Sequence, residues 1–132
     1  MNYLLDTQIW LWAFLEKERI RKGVSRVLED TNNRLWLSPV SVWEALVLFQ
    51  KGRIKLAGEP VAWVRTALAK GFVQEAPLNH EIAVHSRLLA IPQEDPADRF
   101  IAATALVRGL TLITSDDHLL KCRSIRTLAN AG

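Results

Sequence analysis

The chain has 132 residues, 49% hydrophobic and 23% charged, which suits one folded domain and excludes disordered and collagen-like classes. One cysteine, Cys122, excludes an intrachain disulfide and any cysteine-built zinc or iron–sulfur site, and fits a reducing cytoplasm. No apolar run approaches the ~18 residues of a membrane span, the start Met1–Asp6 lacks the basic segment of a secretion signal, and the net charge of +3 exerts only a mild pull on polyanions.

Tyr3-Leu4-Leu5 reads as a short buried strand, followed at once by Asp6-Thr7 and an apolar helical stretch from Ile9 to Leu15. Glu18 to Asp30 is mixed and charged, with Val24, Val27 and Leu28 at helical spacing. Asn32-Asn33 make a turn before a second strand, Leu35-Trp36-Leu37. Ser38-Pro39 opens a helix from Val40 to Lys51 that Gly52 ends. Arg53 to Pro60 is a connector, Val61 to Lys70 a further helix stopped by Gly71, and Phe72-Val73 a short edge strand. Asn79 caps a helix reaching Ala90, Ile91 to Pro96 is a loop, and Ala97 to Arg108 is a helix closed by Gly109. Leu110 to Thr114 is the clearest strand, and Asp116 to Leu120 begins another helical turn. Short apolar strands alternating with helices imply a three-layer α/β/α domain around a short parallel sheet, with residues 1–132 as a single unit.

Open α/β sheets bind ligands beyond the carboxyl ends of their strands. Asp6 and Asp116 each follow an apolar strand and would sit close together if those strands are neighbours. Glu44 lies in Val40–Leu48, where only it and Ser41 are polar, so its carboxylate is set against packed surface. Asp98 stands in the first turn of the helix after Pro96. Asp95, just before that proline, reads first as a helix cap. Carboxylates gathered in one place repel one another unless compensated, and a hard divalent cation compensates them while leaving coordination positions for a phosphate oxygen and water. Phosphodiester hydrolysis is the chemistry that follows.

At these residues the sequence resembles the PIN-domain family, specifically its VapC-type toxins. Leu4–Trp12 resembles the family's opening strand and first acid, Ser41-Val42-Trp43-Glu44 its helix-borne glutamate, Asp95–Ala103 its third block, and Thr114-Ser115-Asp116 its fourth. The resemblance implies an endoribonuclease using Mg²⁺ or Mn²⁺, inhibited by a VapB-like antitoxin, usually homodimeric and cytoplasmic. It assigns the catalytic and metal-holding role to Asp6, Glu44, Asp98 and Asp116, with Asp117 as the alternative to Asp116. Gln8 departs from the family pattern, since many relatives carry His there.

The remaining features have plainer readings. His80 and His85, five apart on a helix, are about 140° around its axis and share no face. Trp10, Trp36 and Trp43 lie in apolar runs and read as buried, while Trp12 and Trp63 are candidates for a dimer or antitoxin surface. Lys51, Arg53 and Lys55 form a basic stretch within reach of phosphates, and Arg99 is a candidate to neutralise the acids. Two rivals stand beside the nuclease: a nucleic-acid-binding or regulatory module of the same fold without turnover, and a metal-dependent phosphatase. A haloacid-dehalogenase-like phosphatase would need an acid at position 8, where Gln8 stands.

Overall fold

The structure, a computed structural model, describes every residue except Ala57 and Gln93. Five strands form one parallel sheet in the order β3-β2-β1-β4-β5: β1 is Asn2–Leu5, β2 Arg34–Leu37, β3 Gln74–Glu75, β4 Thr111–Thr114 and β5 Thr127–Ala129. The helices are α1 Thr7–Leu15, α2 Lys22–Glu29, α3 Pro39–Gln50, α4 Pro60–Ala69, α5 His80–Leu88, α6 Pro96–Arg108 and α7 Asp117–Leu120, with a 3₁₀ turn at Lys17–Arg19.

Period-two alternation along the central strands divides the core in two. Tyr3, Leu5 and Ile113 face a cluster completed by Ile9, Trp10, Ala45 and Phe49, whereas Leu4 and Leu112 face Ile101, Ala102 and Leu119 on the other side. Both sheet faces are thus covered, which is why the strands are apolar runs and why parallel pairing is tolerated. Gly109 closes α6 at a φ of 66°, a left-handed turn that favours glycine.

Three expectations are corrected. The edge strand lies at Gln74–Glu75, because Phe72 and Val73 spend their side chains on the core beside it. Strand β5 went unseen in the sequence: its three residues are only half-buried and pair with β4 at Leu112, Ile113 and Thr114. Trp43 is 59% exposed, while Trp63 packs edge-on against Trp10, Phe14 and Phe49 with ring centroids 5.5–6.0 Å apart. Trp10 is fully buried, Trp36 is half-buried, and Trp12 is half-buried with Arg19 over its ring at 5.4 Å. Among the described residues, no helix is long and apolar enough to cross a membrane.

Candidate metal centre

The strand order runs outward from β1 to β2 and β3, then returns to place β4 on the other side of β1. That reversal opens a crevice beyond the carboxyl ends of β1 and β4. Asp6 directly follows β1, and its backbone N–H extends the ladder by donating to Ile113 O at 3.0 Å. Asp116 stands two residues beyond β4 and caps α7, its Oδ1 accepting from the N–H groups of His118 at 2.8 Å and Leu119 at 3.2 Å.

Thr114 joins the two acids. Its buried hydroxyl donates to Asp6 Oδ2 at 2.6 Å and accepts from the Asp116 N–H at 3.0 Å, while Asp6 Oδ1 accepts from the Thr7 N–H at 2.8 Å. Burial raises the Asp6 carboxyl above the usual carboxylate range. The Thr114 and Thr7 hydrogen bonds oppose that rise, and the charges of Asp116 and Asp95 add to it.

Glu44 projects from α3, whose start is set by the Ser38 hydroxyl accepting from the Val40 N–H at 3.1 Å and by Pro39 in the first turn. Its carboxyl is also raised, chiefly by burial and then by Asp6 and Asp95, while the Thr7 hydroxyl favours its charged form. Asp98 is 9% exposed in the first turn of α6. Asp95 caps that helix, accepting from the Ala97 N–H at 2.9 Å. Glu44, Asp95 and Asp98 each offer a carboxylate oxygen within 4.8 Å of the others.

A cleft of about 320 Å³ collects Asp6, Glu44, Asp98 and Asp116 together with Asp95, Gln8 and Ser115; Asp117 does not line it. A larger hollow of about 470 Å³, between Phe14, Ile20, Leu28 and Phe72, carries none of these acids. Chemistry therefore selects the smaller one. The donor set is all hard oxygen, and two of its members carry raised pKa values from burial and mutual repulsion, so the residues fit a divalent cation.

Asp95 is the acid that the sequence reads first as a cap. It does cap, and its carboxylate also joins the cluster, a dual role signalled by its i,i+3 spacing from Asp98. Arg99, the candidate to neutralise the acids, also braces the backbone. Its buried guanidinium donates to the carbonyls of Ser86 at 2.8 Å, Leu89 at 3.0 Å and Ile91 at 3.1 Å, tying the α5–α6 connection down. His80 is exposed, and His85 lies 3.5 Å from Glu81 on the same helix; neither lines the cleft.

A short parallel sheet carrying acids at its switch point is the PIN architecture, and residues 3–123 match the PIN domain family model. The chain belongs to the PIN-domain family. It is 31% identical over 126 residues to ribonuclease VapC22 of Mycobacterium tuberculosis, covering 93% of each chain. Its fold is similar to chains of two solved assemblies: DNA-bound VapBC from Salmonella typhimurium (TM-score 0.73, 20% identity, 99% of each chain) and VapBC2 from Rickettsia felis bound to a promoter DNA fragment (TM-score 0.72, 14% identity, 98% of each chain).

Proposed function

We propose that the chain is a divalent-metal-dependent endoribonuclease, the toxin of a VapBC-like toxin–antitoxin pair. The observation that carries this reading is the convergence of Asp6, Glu44, Asp95, Asp98 and Asp116 on one cleft at the switch point of the sheet. The similarity to a ribonuclease supports RNA as substrate, and the similarity to VapBC assemblies supports a VapB-like antitoxin as partner. Homodimerisation, a cytoplasmic site of action and a single working unit over residues 1–132 belong to the same proposal.

Asp6, Glu44, Asp98 and Asp116 would hold Mg²⁺ or Mn²⁺, with Asp95 as a fifth donor. Bound there, the ion supplies a water of lowered pKa and offsets charge developing on the scissile phosphate. The chain's own contribution is placement. Thr114 and the Thr7 N–H fix both oxygens of Asp6, the α7 amides fix Asp116, and α6 presents Asp95 and Asp98 one turn apart. Lys51, Arg53 and Lys55, exposed just past the end of α3, are the chain's candidates to meet the phosphates of an RNA strand. At position 8 the cleft shows Gln8, without the second acid that a haloacid-dehalogenase-like phosphatase requires.

The test is direct: incubate the protein, freed of any antitoxin, with RNA and Mg²⁺ or Mn²⁺, with and without EDTA. Cleavage that EDTA abolishes and that leaves 5′-phosphate and 3′-hydroxyl ends supports the proposal. Products ending in 2′,3′-cyclic phosphate would refute hydrolysis by an ion-activated water, and binding of RNA without turnover would favour the regulatory reading.

A further inference from the structure

The cleft that gathers the acids is lined almost entirely by acceptors. An ionised carboxylate accepts hydrogen bonds and donates none. Five carboxylates line it together with Leu48, which is apolar, and Thr7, whose hydroxyl is paired with that of Ser41 at 2.9 Å. No lysine, arginine or histidine is among the described residues of the lining. Two side chains able to donate are left: Gln8, through its amide, and Ser115, through its hydroxyl.

Both are exposed, and among the described residues neither side chain makes a hydrogen bond. Their freedom is informative because so many acceptors are near. The acids draw instead on Thr114, whose hydroxyl donates to Asp6 Oδ2 at 2.6 Å, and on the backbone N–H groups they cap. Gln8 and Ser115 also stand at adjacent strand ends. β1 and β4 pair at Leu5 and Ile113; Gln8 follows Asp6 by two residues in the first turn of α1, and Ser115 lies between Thr114 and Asp116.

A phosphodiester brings one more negative charge into this cleft. A divalent ion offsets two of the charges and serves one non-bridging oxygen. The other non-bridging oxygen gives up water on entering and needs a donor from the protein. A lysine or arginine in that place would pair with the carboxylates and compete with the ion. A neutral donor meets the phosphate without drawing the acids away.

We propose that Gln8 and Ser115 are the substrate-binding donors of the cleft, holding the non-bridging oxygens of the scissile phosphate from the start of α1 and from the turn between β4 and α7. The inference rests on the nuclease reading above. Donors placed where charge develops on the phosphate oxygens stabilise the transition state as well as the bound RNA.

The experiment uses the full chain in Mn²⁺ with total bacterial RNA: cleavage sites are mapped by sequencing, and a transcript carrying the strongest site serves for steady-state rates. It compares wild type with Gln8→Met, Gln8→Glu, Ser115→Ala, Ser115→Thr and the Gln8→Met, Ser115→Ala double variant, with thermal melts for folding and calorimetric titration for Mn²⁺. Gln8→Met and Ser115→Ala are each expected to lower kcat/KM about 10–100-fold, as for one hydrogen bond to a charged group. The double variant should lose more than either, and Ser115→Thr, which keeps the hydroxyl, should recover most of the loss. Gln8→Glu, the same shape with a charge in place of the donors, should lose more than Gln8→Met while binding Mn²⁺ no more weakly than wild type. Melting temperature and Mn²⁺ affinity of the Met and Ala variants should match wild type, because both side chains are exposed. The mapped sites should not move, because a phosphate contact carries no sequence information. Wild-type kcat/KM in the double variant overturns the inference while leaving the nuclease standing. So does an equal loss of Mn²⁺ affinity, which would make the two residues part of the ion site, or a shift of the cleavage sites, which would make them readers of a base. If the wild type cuts no RNA in Mn²⁺, the nuclease reading falls and this inference with it.

Discussion

Replacing Asp6 by Asn should make the metal-free protein more stable and remove its response to metal. Asp6 is 7% exposed, and burial together with Asp116 and Asp95 raises its carboxyl above the usual 3.8 despite two hydrogen bonds. A carboxyl whose folded pKa is raised favours folding fully below the unfolded value near 3.8, and that contribution is lost as the pH climbs through the raised folded value. At neutral pH the ionised group therefore costs stability. The amide keeps an acceptor for the Thr7 N–H and offers an N–H to Thr114 Oγ1, so the charge is removed with little loss of bonding. Removing an incompletely compensated buried charge is worth roughly 1–3 kcal/mol. At about 2.1 cal/mol/K of unfolding entropy per residue, that is a Tm gain of roughly 4–11 °C for a chain of this size. Saturating Mn²⁺ reverses the comparison, since a ligand at 100 times its Kd stabilises the form that binds it by about 2.7 kcal/mol. The assay is a melting series at neutral pH in EDTA and in Mn²⁺, repeated near pH 4, where the EDTA difference should close. A variant that melts below wild type in EDTA at neutral pH, or that gains as much from Mn²⁺, would refute the argument.

Three further outcomes test the surrounding structure. Thr114→Val deletes the hydroxyl between Asp6 Oδ2 and the Asp116 N–H, and should cost about 1–3 kcal/mol in melting experiments and about 10–100-fold in RNA cleavage, with Thr114→Ser near wild type. Arg99→Met leaves three carbonyls of the α5–α6 connection without their donor, and denaturant titration should show a loss of about 3 kcal/mol or more. Trp10→Ala should cost about 3–5 kcal/mol by the same titration, whereas Trp43→Ala, at a site 59% exposed, should stay within about 0.5 kcal/mol.

The fold was readable because its central strands are buried on both faces, and such strands announce themselves as apolar runs: Tyr3-Leu4-Leu5 and Leu112-Ile113 could hardly be anything else. Strand β5 was not readable for the complementary reason. Thr127–Ala129 is half-buried at the sheet edge, where backbone pairing to β4 makes the strand and the side chains say little. Trp43 shows the same limit in a helix. Its neighbours are apolar, but α3 is apolar on almost every side, so periodicity could not say which positions face outward. The acids were legible individually, because each stands at a strand end, a helix start or an otherwise apolar face. The hydroxyl that orients Asp6 was not, since a buried threonine in sequence looks like any strand residue, and its meaning comes from a partner as far away as position 114 is from position 6.

The choice between capping and chemistry, posed for Asp95 in the sequence, is one the fold does not make. Asp6, Asp95 and Asp116 are all N-caps, of α1, α6 and α7, and all three line the cleft. A cap places its carboxylate against backbone N–H groups at the positive end of a helix, where negative charge is favoured. Several carboxylates crowded together would otherwise repel one another into protonation or apart. Building the cluster from caps lets backbone amides carry part of that repulsion before any ion arrives. Each cap uses one oxygen on its helix: Asp95 and Asp116 are both held there through Oδ1. Asp6 uses Oδ1 in the same way, and its Oδ2 accepts from the Thr114 hydroxyl. Glu44, half-buried in mid-helix, has no amides to lean on.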